Sequence, residues 1–130
     1  MASIFTKIIR GEIPCYKLAE NEYCFCLLDI NPLQKGHVLV VPKTEVDQLF
    51  ELDDKTYSEL LAYAKTISIA IKKAFPCNRI GMSIIGLEVP HAHIHLIPIN
   101  KEKDMNFAQP KKSFSTVEFE SILAQIKAYL

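Results

Sequence analysis

Three of the four histidines stand at alternate positions, His91, His93 and His95, and apolar residues follow them. Side chains on a β-strand point alternately to its two faces, so this spacing sends the three imidazoles to one face and the residues between them to the other. Burying three imidazoles together costs free energy unless each finds a hydrogen-bond partner, so stability alone does not explain the pattern. The run 91–99 therefore predicts a strand with one core face and one chemical face.

The remaining hydrophobic pattern predicts an antiparallel α+β fold. Strands cluster before and after one long helix instead of alternating with several helices, which favours an antiparallel sheet of about five strands over a doubly wound parallel sheet. Asp53 or Asp54 would cap the long helix, and Pro76 would end it. We expect a single domain over residues 1–130. Its predicted elements are a helical turn at 4–10, strands at 17–20, 23–30, 36–41, 79–85 and 91–99, the long helix at 53–75 and a C-terminal helix at 116–130.

Charge and composition indicate which class of ligand the protein binds and in which cellular compartment it is expected. The 15 Lys and Arg residues offset the 15 Asp and Glu residues, so no bulk positive charge supports nucleic-acid binding and a small molecule is the better expectation. The chain has no apolar run long enough to span a bilayer and no secretory signal, which favours a cytoplasmic protein without a membrane partner. Its four cysteines form no CxxC pair, so we expect reduced structural thiols. The Lys-rich stretch 101–112 is interpreted as a solvated loop, with a phosphate contact as the alternative.

The histidine spacing alone leaves two kinds of chemistry open. Imidazole can serve as a nucleophile, an acid or a base near neutral pH. It can also ligate zinc, because histidines two apart on a strand can share one ion with a third ligand from elsewhere. Glu88 is the only carboxylate close by in sequence.

The run His91–Leu96 resembles the motif of the histidine triad family of nucleotide hydrolases and transferases. Two further segments agree with the family's order: residues 4–14 resemble its N-terminal segment, and residues 28–43, which carry Asp29 and His37, resemble its ribose-side hairpin. The resemblance covers the chain to about Ile99, and the stretch after it matches no family motif.

The resemblance implies a covalent mechanism and a set of site residues. His93 would attack the α-phosphorus and form a nucleotidyl-histidine that water then hydrolyses, a route that needs no metal cofactor. His91, His95 and His37 would surround the phosphate. Asp29 would accept hydrogen bonds from the ribose hydroxyls. The apolar slot around the base would consist of Ile4, Phe5, Ile8 and Leu39.

The sequence departs from the family pattern at the leaving-group side. A Gly-Gln-Ser or Gly-Gln-Thr stretch usually precedes the triad, but Leu87 and Glu88 occupy that place. Glu88, if desolvated beside phosphate charge, would have a raised pKa and act as the general acid. Ser83 is the nearest polar candidate for the phosphate-side asparagine of the family.

A second departure concerns a structural metal. Many bacterial members hold zinc through an N-terminal Cys-x-x-Cys and a histidine after a Pro-Lys pair, whereas this chain has Ser3, Thr6 and Glu45 at those places. We therefore expect no structural zinc.

Together these features predict hydrolysis of a nucleoside phosphoramidate or related nucleotidyl conjugate. One alternative is cleavage of dinucleoside polyphosphates by the same nucleophile. An alternative of another class is a nucleotide-binding regulator with residual activity. The resemblance also implies a homodimer with a continuous sheet.

Overall fold

A computed structural model describes residues 2–130, so Met1 of the predicted domain lies outside the described residues. Five strands form one antiparallel sheet in the order β1-β2-β3-β5-β4, and the predicted α+β class is confirmed. The elements are α1 (Ile4–Ile9), β1 (Lys17–Glu20), β2 (Cys24–Leu28), β3 (Val38–Pro42), α2 (Asp54–Ala74), β4 (Arg79–Ser83), β5 (Ile94–Ile99) and α3 (Thr116–Lys127), with 3-10 turns at Leu49–Glu51 and Glu102–Met105. None of the described helices is long and apolar enough to cross a bilayer.

The helix boundaries follow local capping signals. The carboxylate of Asp53 accepts a hydrogen bond from the Thr56 N–H, so Asp53 is the N-cap of α2. The apolar residues of α2 that recur at helical spacing, including Leu60, Ile67 and Ile71, are fully buried. Burial of each of these side chains contributes roughly 1.5–3 kcal/mol to the stability of the fold. α3 ends at Lys127, three residues before the predicted end, and the N–H groups of Tyr129 and Leu130 close tighter turns on the Ile126 and Lys127 carbonyls.

Period-two alternation divides the core between the two faces of the sheet. One set of residues, with Cys24, Cys26, Val40 and Ile94 among them, packs under α2 and α3. The other set joins Phe5 and Ile8 of α1 to four strand residues, Phe25, Leu27, Leu39 and Val41. Burial raises the pKa of the Cys24 thiol to about 11, and all four cysteines are free.

The strand predicted at 91–99 begins three residues later, at Ile94. β3 and β5 pair with Val40 opposite Ile94, and continuing this register places Pro42 opposite Ala92. Pro42 has no N–H to donate, so the ladder stops there. The Ala92 N–H donates instead to the Val46 carbonyl at 2.8 Å. His91 and His93 therefore precede the strand, contrary to the prediction.

Two other predicted strands are also shorter than expected. β2 covers Cys24–Leu28 within the predicted range 23–30, and β4 ends at Ser83 before the predicted Ile85. β3 begins at Val38 because Gly36 turns the chain with a φ of 93°. A Cβ at Gly36 would lie 2.8 Å from the Phe75 ring, so only glycine fits this approach to His37.

Candidate active site

A cavity of about 480 Å³ lies on the face of the sheet that carries α1, a size usual for small-molecule sites. Its apolar part includes all four residues predicted for the base slot: Ile4, Phe5, Ile8 and Leu39. Other apolar walls come from β2 and from the loop after β4, with Leu27, Ile85, Leu87 and Val89. Asp29, His37, His93, His95 and Glu88 also line the cavity.

Two predicted site residues do not line the cavity. Ser83 ends β4 opposite His95 in the strand register and stands apart from the cavity wall. His91 is 0% exposed and lies behind the wall, so the structure separates it from the other three histidines. The expectation that alternation would bring all three triad rings to one chemical face is not met at His91, whose ring is held instead by the Pro42 carbonyl oxygen and the Ser3 hydroxyl.

Backbone contacts fix which nitrogen of a neutral His91 carries the proton. Its Nε2 lies 2.8 Å from the Pro42 carbonyl oxygen, which can only accept. The proton is therefore on Nε2, and Nδ1 accepts from the Ser3 hydroxyl at 2.6 Å. Both ring nitrogens are satisfied, and burial lowers the pKa of His91.

His93 is held by the backbone of His91. Its Nδ1 lies 2.8 Å from the His91 carbonyl oxygen, so a neutral ring carries its proton on Nδ1 and keeps a lone pair on Nε2. The edge-on ring of Phe5 lies 4.9 Å from the His93 ring, centroid to centroid. The ring of His93 is thus oriented from two sides, with one nitrogen free for chemistry.

His37 and His95 form a directed pair. The Leu33 N–H donates to His37 Nδ1 at 3.0 Å, so the proton of neutral His37 is on Nε2. This Nε2 lies 2.9 Å from His95 Nδ1, which must accept, and the proton of His95 is therefore on its own Nε2. The chain of bonds presents His95 as a hydrogen-bond donor within the cavity.

Burial keeps both rings of this pair uncharged at neutral pH. It lowers the pKa of His37 to about 4, against the opposing attraction of Asp29. It lowers the pKa of His95 to about 3, with help from the positive charges that His37, His93 and Lys111 would present. The hydrogen-bond directions above therefore hold at pH 7.

Asp29 directly follows β2 and stands beside the histidine pair. One carboxylate oxygen accepts from the Asn31 N–H at 2.8 Å. The other lies 3.5 Å from His37 Nε2 and 4.0 Å from His95 Nδ1. The second oxygen therefore retains capacity to accept from a ligand hydroxyl.

Asp29, His37 and His95 form the one candidate metal-binding group among the described residues. Their ligand atoms lie within 4.8 Å of one another, a spacing compatible with one zinc ion. The Leu33 bond, however, places the proton of His37 on Nε2, the atom that would have to bind the ion. Metal binding would require a change of tautomer and the loss of that bond, so the geometry favours proton donation over metal ligation.

Ser3, Thr6 and Glu45 form a hydrogen-bonded cluster around the buried His91. The Thr6 hydroxyl and the Ser3 N–H both donate to Glu45 Oε1, at 2.5 and 2.8 Å. The Thr6 N–H donates to the Ser3 hydroxyl oxygen, which makes Ser3 the N-cap of α1. These bonds, with the Thr6 hydroxyl first, lower the pKa of Glu45 to about 2. The cluster ties α1 to the segment after β3.

Phe107 and Lys111 are among the cavity-lining residues that the sequence interpretation did not name individually as site residues. Both come from the stretch interpreted as a solvated loop. Lys111 is exposed, as expected for a loop, yet it faces the histidine end. An aromatic residue four positions before a lysine in a polar stretch was the signal available in the sequence.

The fold and the cavity define a small-molecule-binding α+β protein whose site is built on three converging histidines. The HIT domain pattern matches residues 10–102. The adenosine 5'-monophosphoramidase of Schizosaccharomyces pombe is 34% identical over 98% of this chain and 98% of its own length. An adenylylsulfatase of Arabidopsis thaliana is 34% identical over 95% of this chain, which spans 64% of that relative. The crystal structure of a Hit-like protein from Bartonella henselae has a TM-score of 0.86 at 29% identity and covers 98% of this chain and 96% of its own.

The chain therefore belongs to the HIT family, and the resemblance inferred from its motifs is confirmed.

Proposed function

We propose that the chain is a nucleotide hydrolase that releases a nucleoside monophosphate from a nucleoside phosphoramidate through a nucleotidyl-histidine on His93. The supporting observation is the 2.8 Å contact between His93 Nδ1 and the His91 carbonyl oxygen. It leaves the Nε2 lone pair of His93 for attack on the α-phosphorus. The monophosphoramidase activity in the name of the yeast relative supports the same reaction.

The other cavity residues take supporting roles in this proposal. His95 donates its Nε2 proton to a phosphoryl oxygen as negative charge develops, a contact worth on the order of 3 kcal/mol in comparable oxyanion sites. His37 keeps His95 in the donating tautomer. Asp29 accepts from the ribose hydroxyls, and the base lies in the slot formed by Ile4, Phe5, Ile8 and Leu39.

His91 acts indirectly in this scheme, since it does not line the cavity. Its carbonyl oxygen orients the nucleophile, and its ring is anchored by Ser3. Glu88 lines the cavity but is exposed, so its role as proton donor to the departing amine requires that the bound substrate shield it from water. Ser83, apart from the cavity, receives no role.

The deciding experiment compares the native protein with His93→Ala on adenosine 5'-phosphoramidate, with a chelator present and no added metal. We expect monophosphate release by the native protein, a loss of about a thousandfold or more in the variant, and a covalent adenylyl adduct detectable by mass spectrometry only in the native protein. Diadenosine tetraphosphate, tested in parallel, ranks the alternative substrate class. Tight nucleotide binding without turnover would favour the regulator.

We also propose a homodimer that forms through β4. This strand ends the sheet order, and its Met82 is 54% exposed while Ile69 of α2 is 50% exposed. An unpaired edge strand beside exposed apolar side chains favours pairing with a second copy. A cytoplasmic location, with its reducing conditions, suits the four free thiols.

A further inference from the structure

The segment 106–112 folds over the histidine end of the cavity. The ring of Phe107 lies 4.9 Å from that of His95 and 6.3 Å from that of His37, both edge to face. The Lys112 N–H donates to the Pro32 carbonyl at 2.8 Å, and the Gln109 N–H to the Asn106 carbonyl at 3.1 Å. The first bond ties the segment to the loop after β2, and the second closes a turn within the segment.

The ammonium group of Lys111 is held within the same segment. It donates to the Phe107 carbonyl oxygen and lies 5.7 Å from the centroid of the Phe107 ring. Lys111 thus stands next to an aromatic ring that itself contacts His95, and its side chain lines the cavity.

Lys111 is the one permanently cationic side chain among the described residues that line the cavity, where Asp29 and Glu88 supply carboxylates. The histidine pair does not offset these charges, because both rings are neutral at pH 7. A nucleotidyl phosphate adds a further negative charge, and a second anionic group on the substrate would add another. Electrostatic attraction favours placing this second anionic group beside the ammonium group of Lys111.

We propose that Lys111, supported by Phe107, is a specificity-determining residue of the cavity, which favours nucleotidyl substrates with an anionic leaving group by stabilising that group's charge. This inference rests on the proposed function, since the leaving group is defined by attack of His93. It assigns the segment beyond the matched family region a role in substrate selection.

The reaction balances without a proton donor for the leaving group. His93 Nε2 forms a bond to the α-phosphorus, and the P–O bond to the sulfate or phosphate breaks with its electron pair on the departing oxygen. That oxygen becomes part of a stable anion, whose new charge Lys111 stabilises. Water then cleaves the P–N bond to His93 and releases the nucleoside monophosphate and a proton.

The test uses two substrates that share the adenylyl group and differ in the leaving group: adenosine 5'-phosphosulfate and adenosine 5'-phosphoramidate. For Lys111→Gln we expect kcat/KM to fall roughly tenfold on the phosphosulfate and by less than about twofold on the phosphoramidate. Lys111→Arg should retain most of the phosphosulfate activity. Lys112→Gln, a neighbouring exposed lysine outside the cavity lining, is the matched control and should match the native protein on both substrates.

Three outcomes would overturn the subsite: no cleavage of the phosphosulfate by native protein that cleaves the phosphoramidate, equal losses on both substrates, or no loss in Lys111→Gln. Equal losses would place Lys111 on the α-phosphate. Retention of activity on both substrates by His93→Ala would instead contradict the proposed function.

A binding measurement separates the two proposals even if turnover is absent. Calorimetry on His93→Ala would compare adenosine 5'-monophosphate with α,β-methylene adenosine diphosphate, which carries an anionic group beyond the α-phosphate. Adding Lys111→Gln should weaken the methylene compound about fivefold more than the monophosphate. Equal weakening of both ligands would contradict the subsite.

Discussion

His37 Nε2 lies 2.9 Å from His95 Nδ1, and the pair is polarised in one direction by the Leu33 N–H on the far side of His37. A single backbone amide therefore decides that His95 donates, rather than accepts, in the cavity. Protonation of His37 on Nδ1 would break the Leu33 bond and leave two donors facing each other.

Because His37 and His95 are buried as neutral rings, we expect the stability of the fold to fall in acid. The pKa of His37 falls from the ordinary 6.5 to about 4 on folding, so the unfolded chain binds a proton first as the pH drops. The neutral His37 ring therefore contributes to the free energy of unfolding in full above about pH 6.5. This contribution is lost progressively as the pH falls toward about 4, and the loss amounts to about 3 kcal/mol for His37 alone. Urea unfolding at several pH values should show this slope. His37→Gln should reduce this slope without abolishing it, because the pKa of His95 is also lowered, and an unchanged slope would contradict the assignment.

Loss of the Ser3 hydroxyl should affect the orientation of His93, the proposed nucleophile, through His91. Ser3→Ala leaves buried His91 Nδ1 without its short donor, which should cost about 1–3 kcal/mol of unfolding free energy. It should also lower kcat several-fold at nearly constant KM, because the His91 carbonyl orients His93. Ser3→Thr should restore kcat.

The matched control for Ser3 is Ser115→Ala. Ser115 caps α3 as Ser3 caps α1, but it does not contact a histidine of the site. It should lower stability by about 1 kcal/mol and leave kcat unchanged. An equal loss of kcat in both variants would mean that Ser3 acts only as a helix cap.

Glu88→Gln should separate the two kinds of leaving group. An amine must gain a proton as it departs, whereas sulfate need not. We expect turnover of the phosphoramidate to fall by about a hundredfold and turnover of the phosphosulfate to stay nearly constant. The side chain is exposed, so the melting temperature should not change. Unaltered turnover on both substrates would make Glu88 a surface carboxylate without a catalytic role.

Met82→Lys should prevent association through β4. A lysine on an edge strand places an unpaired charge where a second copy would pack. Light scattering should give twice the monomer mass for the native protein and the monomer mass for the variant. Lys65→Glu, an exposed substitution on α2, serves as a charge-change control. A native monomer would contradict the proposed dimer.

Local sequence signals predicted most of the secondary structure. Period-two and helical spacing of apolar residues depends on which side of each element meets the core, and this is encoded within a few residues. β1 coincides with its predicted range, Asp53 caps α2 as one of two predicted candidates, and Ala92, Ile94 and Leu96 are buried. The motif spacing also identified the family.

The tertiary structure alone decided what each polar side chain meets. His91 and His93 alternate identically in sequence and both precede β5, yet the Pro42 carbonyl oxygen and the Ser3 hydroxyl hold the His91 ring behind the cavity wall. Ser3 reaches Glu45 across 42 residues, and Lys111 reaches the histidine end through a segment without a periodic pattern. Such contacts depend on long-range packing and backbone hydrogen bonds, which short-range periodicity does not encode. The sequence alone thus determined the family and the sheet, while the tertiary contacts decided the proton positions and the walls of the site.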